Sequence, residues 1–182
     1  MKHQLFAPVL TGLALALGTT ALVSQPSYAI GTTFYCGTRN GAPATIARTS
    51  RGDIPMIRWV SNDFTRLKYT PRQRCQEVSA RFQNFNDNGT LKFIRTGTVN
   101  KYPVLCLASS SGGACAPKAV IVTLQTGSNP QVVLDRLLDL RARAAGKALD
   151  LGGSQLIFYQ DGDAYLNIEQ LLYIAPVERR QN

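Results

Sequence analysis

Histidine is all but missing. His3 is the only one in the sequence, and it stands in a leader expected to be removed. A chain without it cannot assemble Ser-His-Asp or Cys-His catalysis. Nor can it make a His-ligated zinc or blue-copper site, a Cys-x-x-Cys-His haem attachment, or a histidine pH switch. No Cys-x-x-Cys pair occurs among Cys36, Cys75, Cys106 and Cys115, which removes the usual thiolate zinc spacing. There is no Gly-x-Ser-x-Gly, and no Ser-x-x-Lys starts at Ser109, Ser110 or Ser111, so neither serine-nucleophile signature is met. No catalytic residue, metal or cofactor is expected. Carboxylates are also scarce, with 11 Asp and Glu against 20 Lys and Arg.

The first segment has the order of an export signal. Lys2 and His3 precede an uncharged, largely apolar run from Leu5 to Val23. Ser24-Gln25-Pro26-Ser27-Tyr28-Ala29 then closes on a small-x-small pattern. That layout predicts a Sec-type signal over residues 1–29, cleaved after Ala29. A run of this length rivals a membrane span, but Gly12, Gly18, Thr19 and Thr20 dilute it. No cysteine stands at the cleavage point and no paired arginines precede the run, so neither a lipoprotein nor a twin-arginine substrate is expected. Residues 30–182 are then one domain's length. Its destination is the periplasm, a thylakoid lumen or the exterior.

Four cysteines in an exported chain read as disulfides. Three pairings are open; Cys106–Cys115 as a local clip and Cys36–Cys75 as the longer bridge are favoured. Removing Lys2 takes the net charge from +9 to 9 − 1 = +8. The excess is densest from Arg58 to Arg81, where Arg58, Arg66, Lys68, Arg72, Arg74 and Arg81 face only Asp63 and Glu77. Such a field favours anionic partners. For an exported protein these are lipid headgroups or envelope polymers, not nucleic acid; the plainer reading is solvated surface charge.

Three short strands are predicted near residues 33–38, 44–49 and 55–60, with turns at Asn40-Gly41 and Arg51-Gly52-Asp53. A helix follows. Thr70 supplies an N-cap, Pro71 the first position and Gln73 the capping box. Asn88-Gly89 ends it. Cys75, Val78, Phe82 and Phe85 share one arc of that helix, and Arg74, Glu77 and Arg81 beside them can ladder as ion pairs. Further strands are predicted at residues 91–99, 102–109 and 119–124, then a second helix from Asn129-Pro130 to Gly146. A hairpin turns at Asp161-Gly162 and a short helix lies near residues 168–172. Short connections favour hairpins, so the expected class is α+β, a mainly antiparallel sheet of about eight short strands with two main helices packed on it.

Several residues invite a functional reading beside a structural one. Trp59 would share a strand face with Ile57, opposite Met56, Arg58 and Val60. It is either core or, if exposed among cations, a ligand contact. Arg141 projects amid leucines and must snorkel or find a partner; it is the second candidate ligand contact. Asp161 and Asp163 could serve glycoside hydrolysis but sit where a two-residue hairpin turn is signalled. Asn84-x-Asn86-x-Asn88-Gly89 begins like a calcium loop and fails where Arg95 replaces the closing glutamate. Ser109–Gly113 reads as a flexible tip tied at its base.

Taken together, Phe34-Tyr35-Cys36-Gly37-Thr38, Arg58-Trp59, Thr70-Pro71-Arg72-Gln73-Arg74-Cys75 with Val78–Phe82, Tyr102-Pro103-Val104-Leu105-Cys106, Asn129-Pro130 and Tyr165-Leu166-Asn167-Ile168 resemble the cyanobacterial circadian oscillating protein family. The resemblance runs from about Thr33 to Ile174. It implies a cyanobacterial protein with a signal peptide, loosely attached to a membrane, with rhythmic abundance in the founding member. It carries over no catalytic residue. The expected function is therefore that of a non-enzymatic exported protein held peripherally to a membrane or envelope by basic surface, with Arg58, Arg66, Lys68 and Arg72 as its contacts. The alternative is a small secreted binding or inhibitor module that engages a protein or polysaccharide through the tied loop.

Overall fold

The computed structural model describes residues 31–60, 69–134 and 156–179. Three strands come first, β1 (Thr33–Arg39), β2 (Ala42–Thr49) and β3 (Gly52–Arg58), in a sheet of order β1-β2-β3. Helix α1 (Pro71–Asp87) follows. Then come β4 (Phe93–Val99), β5 (Tyr102–Ala108), β6 (Val120–Thr123), β7 (Ile157–Gln160) and β8 (Asp163–Asn167), forming a second sheet of order β6-β5-β4-β8-β7. Every pairing in both sheets is antiparallel. A short helix, here α2 (Ile168–Ile174), ends the series.

The predicted class therefore holds, with the eight strands divided between two sheets of three and five. The edges of the smaller sheet explain the division. Along β1, the Phe34 amide donates to Gln83 Oε1 at 2.6 Å and the Thr32 carbonyl accepts from Asn86 Nδ2 at 2.9 Å, so two α1 side chains occupy that edge. At β3, Asp53 bridges to Glu178 through paired backbone bonds of 3.2 and 2.8 Å. An edge already bonded to a helix or a terminal segment does not template another strand.

The turns follow their residues. Asn40 and Gly41 adopt φ of 48° and 74°, and Asp161 and Gly162 adopt 52° and 83°, the double positive φ of a type I′ hairpin. The helix begins as its cap dictates: Thr70 accepts from the Gln73 amide, and the Gln73 side chain answers to the Thr70 amide at 2.9 Å. Gly89, at φ 65°, ends it in the left-handed region that glycine tolerates. Thr70→Ala is expected to cost about 1 kcal/mol, seen as a lower urea midpoint at unchanged slope. Asn129 Oδ1 accepts from the Gln131 and Val132 amides at 2.9 and 3.4 Å, so the second predicted helix starts at its cap. Residues 135–146 of that helix lie outside the described residues.

One hydrophobic cluster joins the layers. Phe34, Ile54 and Met56 of the first sheet meet Val78 and Phe82 of α1 and Ile94, Leu105 and Leu107 of the second sheet. Phe34 and Phe82 stack with centroids 5.3 Å apart. The Cys36–Cys75 disulfide fastens α1 to β1, and Cys106–Cys115 closes the loop after β5. Both are the favoured pairings.

Two local expectations are corrected. Met56 is buried although alternation put it opposite Trp59. A bulge is the reason: Ile46 pairs with Pro55 while Thr45 pairs with Ile57, so the strand gains a residue and the faces exchange. The Ser109–Gly113 loop is not loose at its tip. Ser111 Oγ donates to Gln160 Oε1 and Arg95 Nη1 donates to the Gly113 carbonyl, which fixes it to the β7–β8 hairpin and to β4.

Candidate functional site

Two surface features meet at α1. The first is cationic. Gly37, Ala44 and Arg58 lie in one row across the three-stranded sheet. Arg72, in the first turn of α1, points Nη1 at the Gly37 carbonyl from 3.4 Å. Arg58 and Arg72 are thus exposed at the same end of that sheet. The first turn of α1 contains no acidic residue, so no carboxylate of that turn offsets the positive end of the helix dipole. Arg66 and Lys68 precede this turn in sequence and lie outside the described residues, as does Arg141.

The second feature is a cleft of about 400 Å³ between α1 and the β5–β6 end of the five-stranded sheet. Arg74, Glu77 and Arg81 form its helical wall, Val104, Ile121 and Val122 its sheet wall, and Tyr69 and Tyr102 stand at its rim with Trp59 beneath. The α1 spacing of three and four puts the three charged residues on one side of the helix. Arg81 donates to the Val120 carbonyl and lies 3.6 Å from Glu77. The Arg74 guanidinium sits 5.5 Å from the Trp59 ring centroid, and burial pushes it below its ordinary value while leaving it a cation at neutral pH. Trp59 is held in place: its Nε1 donates to Thr45 Oγ1 at 3.1 Å, and Ser79 Oγ donates to the same oxygen at 3.0 Å. At 5% exposure the indole is core, with one flank toward the cleft.

Residues 33–173, from the first residue of β1 into α2, match the family model described as circadian oscillating protein COP23. The chain belongs to that family. No curated protein and no solved structure matches it. The match takes in both disulfides, the capped helix and the cleft, so these features lie within the stretch shared with the circadian oscillating protein COP23 family.

Within that stretch two carboxylates are bound by arginines. Asp53 is fully buried and receives Arg39 Nη2 at 2.9 Å, Arg48 Nε at 3.0 Å and the Tyr35 hydroxyl at 2.7 Å. Arg39 Nε also reaches Glu178 at 2.7 Å, and Arg51 donates to the Tyr173 and Ala175 carbonyls, so the last described segment is clamped onto β3. Burial works against the Asp53 charge, but bonds from Arg48 and Tyr35 and the charges of Arg48 and Arg39 outweigh it and hold the carboxyl below its usual range. The same site raises Tyr35, first through burial and then through Asp53. In the second sheet Asp163 accepts from Arg95 and, at 3.2 Å, from Thr96 Oγ1, while the Arg95 guanidinium lies 4.8 Å from the Tyr165 centroid. Asp163 is therefore engaged in an ion pair, and Asp161 occupies the hairpin turn at positive φ.

Sequence reasoning did not single out Arg39, Arg48, Asp53 or the cleft's Tyr69, Tyr102 and Val122. Asp53 carried no functional signal: it read as part of the Arg51-Gly52-Asp53 turn, where aspartate is favoured, and the structure instead places it fully buried inside β3. The cleft carried none, because its walls come from segments far apart in sequence. No helix among the described residues is long and apolar enough to cross a membrane.

Proposed function

We propose that this chain is an exported, non-enzymatic protein that attaches peripherally to an anionic membrane surface. Two disulfides fit an oxidising compartment, and the sequence charge of +9 favours anionic partners. The observation that carries the reading is the joint exposure of Arg58 and Arg72 beside an α1 first turn free of acid. Asp53 and Asp163, by contrast, are spent internally on Arg39, Arg48 and Arg95. With Glu178 also on Arg39, these networks hold three arginines and three carboxylates, so the net positive excess lies outside them, where it meets lipid headgroups through screened, reversible contacts.

Co-sedimentation with phosphatidylglycerol-containing vesicles tests this. The protein is expected to pellet with them and not with phosphatidylcholine alone, and to be released as salt rises from ~0.1 M to ~1 M. Arg58→Ala with Arg72→Ala should weaken binding by roughly 1 kcal/mol per removed charge. Retention that ignores salt, or a double variant that binds like the parent, would overturn the proposal.

A further inference from the structure

We infer that the cleft between α1 and β5–β6 binds an uncharged sugar, a mono- or disaccharide. Its volume of about 400 Å³ lies near the small end of ligand-site sizes. The lining offers two kinds of surface. Val104 and Ile121 are buried and Val122 half-buried, which makes an apolar floor. Tyr69 and Tyr102, 44% and 52% exposed, hold aromatic rings at the rim. The face of such a ring is negative and attracts C–H groups bearing partial positive charge. The Trp59 indole does not serve as this platform, because it is 5% exposed and the Arg74 guanidinium lies 5.5 Å from its centroid. Asn100 and Thr123 line the same cleft, and their amide and hydroxyl groups both donate and accept. A pyranose ring answers both surfaces: its face is a layer of C–H groups, and its edge is a row of hydroxyls that donate and accept.

The charged side chains of the wall explain why the ligand is neutral. Arg81 donates to the Val120 carbonyl and lies 3.6 Å from Glu77. Arg74 packs over Trp59 and is likewise bound within the protein. A charged ligand must compete with these contacts. A hydroxyl need not, because a guanidinium has more donors, and a carboxylate more lone pairs, than such a pair uses. An extended peptide fits less well. The cleft runs beside β6, the last strand of its sheet, and a free strand edge can take up a peptide. Here, however, Arg81 already occupies the Val120 carbonyl, as side chains that blunt an edge do. This site is separate from the exposed Arg58 and Arg72 pair, and either can fail without the other.

Trp59 is the sole tryptophan of the chain, so its indole N–H gives a single cross-peak in a proton–nitrogen correlation spectrum and reports on the cleft floor. The full disulfide-bonded protein would be titrated with maltose, cellobiose, lactose and N,N′-diacetylchitobiose. At least one of these is expected to shift that peak saturably, with the same affinity at ~0.1 M and ~1 M salt, since no ligand charge is there to be screened. Glucuronate should bind no more tightly than glucose. Tyr102→Ala, at an exposed ring whose loss spares the core, should weaken the sugar by about threefold to tenfold, the range of an aromatic contact. Tyr102→Phe should restore the parental affinity, because the ring face and not the hydroxyl carries the contact. Arg58→Ala should change nothing, which separates this site from the lipid-facing one. Near-ultraviolet dichroism checks the Tyr102→Ala fold; if that variant misfolds, Tyr69→Ala decides. Absence of a saturable shift with all four sugars, weakening by salt, tighter glucuronate, parental binding by Tyr102→Ala, or a response to the capped peptide Val-Thr-Val in place of the sugars would overturn the inference.

Discussion

Replacing Cys36 and Cys75 together by serine is expected to lower stability by about 4 kcal/mol, the chain-entropy value for a bridge closing a loop of this length. The bridge spans 39 positions and ties the fully buried Cys75 of α1 to β1. Opening it frees the denatured chain over a segment that includes β2, β3 and the approach to the helix. For a domain of about 150 residues, each kcal/mol moves the melting midpoint by about 2–4 °C, so a fall of roughly 8–16 °C is expected. The urea slope should rise as well, because the uncrosslinked chain exposes more surface on unfolding. Removing Cys106 and Cys115 should cost less, about 3 kcal/mol, since that bridge spans 9 positions. Paired calorimetry of the two double variants checks the order; equal losses, or a larger one for Cys106–Cys115, would show that native-state packing and not chain entropy governs.

Asp53→Asn is expected to cost about 3 kcal/mol, the low end for breaking a buried ion pair. The side chain is 0% exposed and faces Arg39 at 5%, while Arg48 at 40% leaves one flank of the site wet, which is why the low end applies. The loss should spread to the last described segment, because Arg39 also holds Glu178. The pH dependence follows from the direction of the shift. The folded carboxyl titrates below its unfolded counterpart. Its stabilisation is therefore complete above the unfolded value of about 3.9 and is lost as pH falls through the lower, folded one. Parent and Asp53→Asn should differ by a constant amount from neutral pH down to about pH 5 and converge under stronger acid. Chemical denaturation across that range tests both statements; parallel curves at every pH would exclude Asp53 as the titrating group.

The two networks of buried charge show where reading the chain stopped short. Arg48 and Asp53 lie in neighbouring strands, and their meeting follows once the β2–β3 register is known. Arg95 and Asp163 are 68 positions apart, and only the β4–β8 pairing brings them together. The cleft is the same case on a larger scale: Tyr69, Arg74, Tyr102 and Val122 carry no common pattern, and a hairpin, a helix flank and an edge strand must all be placed before they form a wall. The loop at Ser109–Gly113 shows the opposite error. Its small residues signal freedom, but partners from β4 and β7 bind it.

What the residues determined unaided was much of what acts over a few positions. The Thr70 cap and Gln73 box, the Asn40-Gly41 and Asp161-Gly162 hairpins, the helix stop at Gly89 and the buried stripe through Cys75 and Phe82 all appear where the local pattern put them. Backbone dihedral preference and side-chain periodicity are properties of short segments, so they survive without knowledge of the fold. The partition into two sheets, the occupants of their edges, the partners of Asp53 and Asp163 and the existence of a cleft were decided only by tertiary structure. Those depend on which distant segments share a boundary. Strand edges and buried charges take whatever partner packing delivers, and no local pattern specifies it.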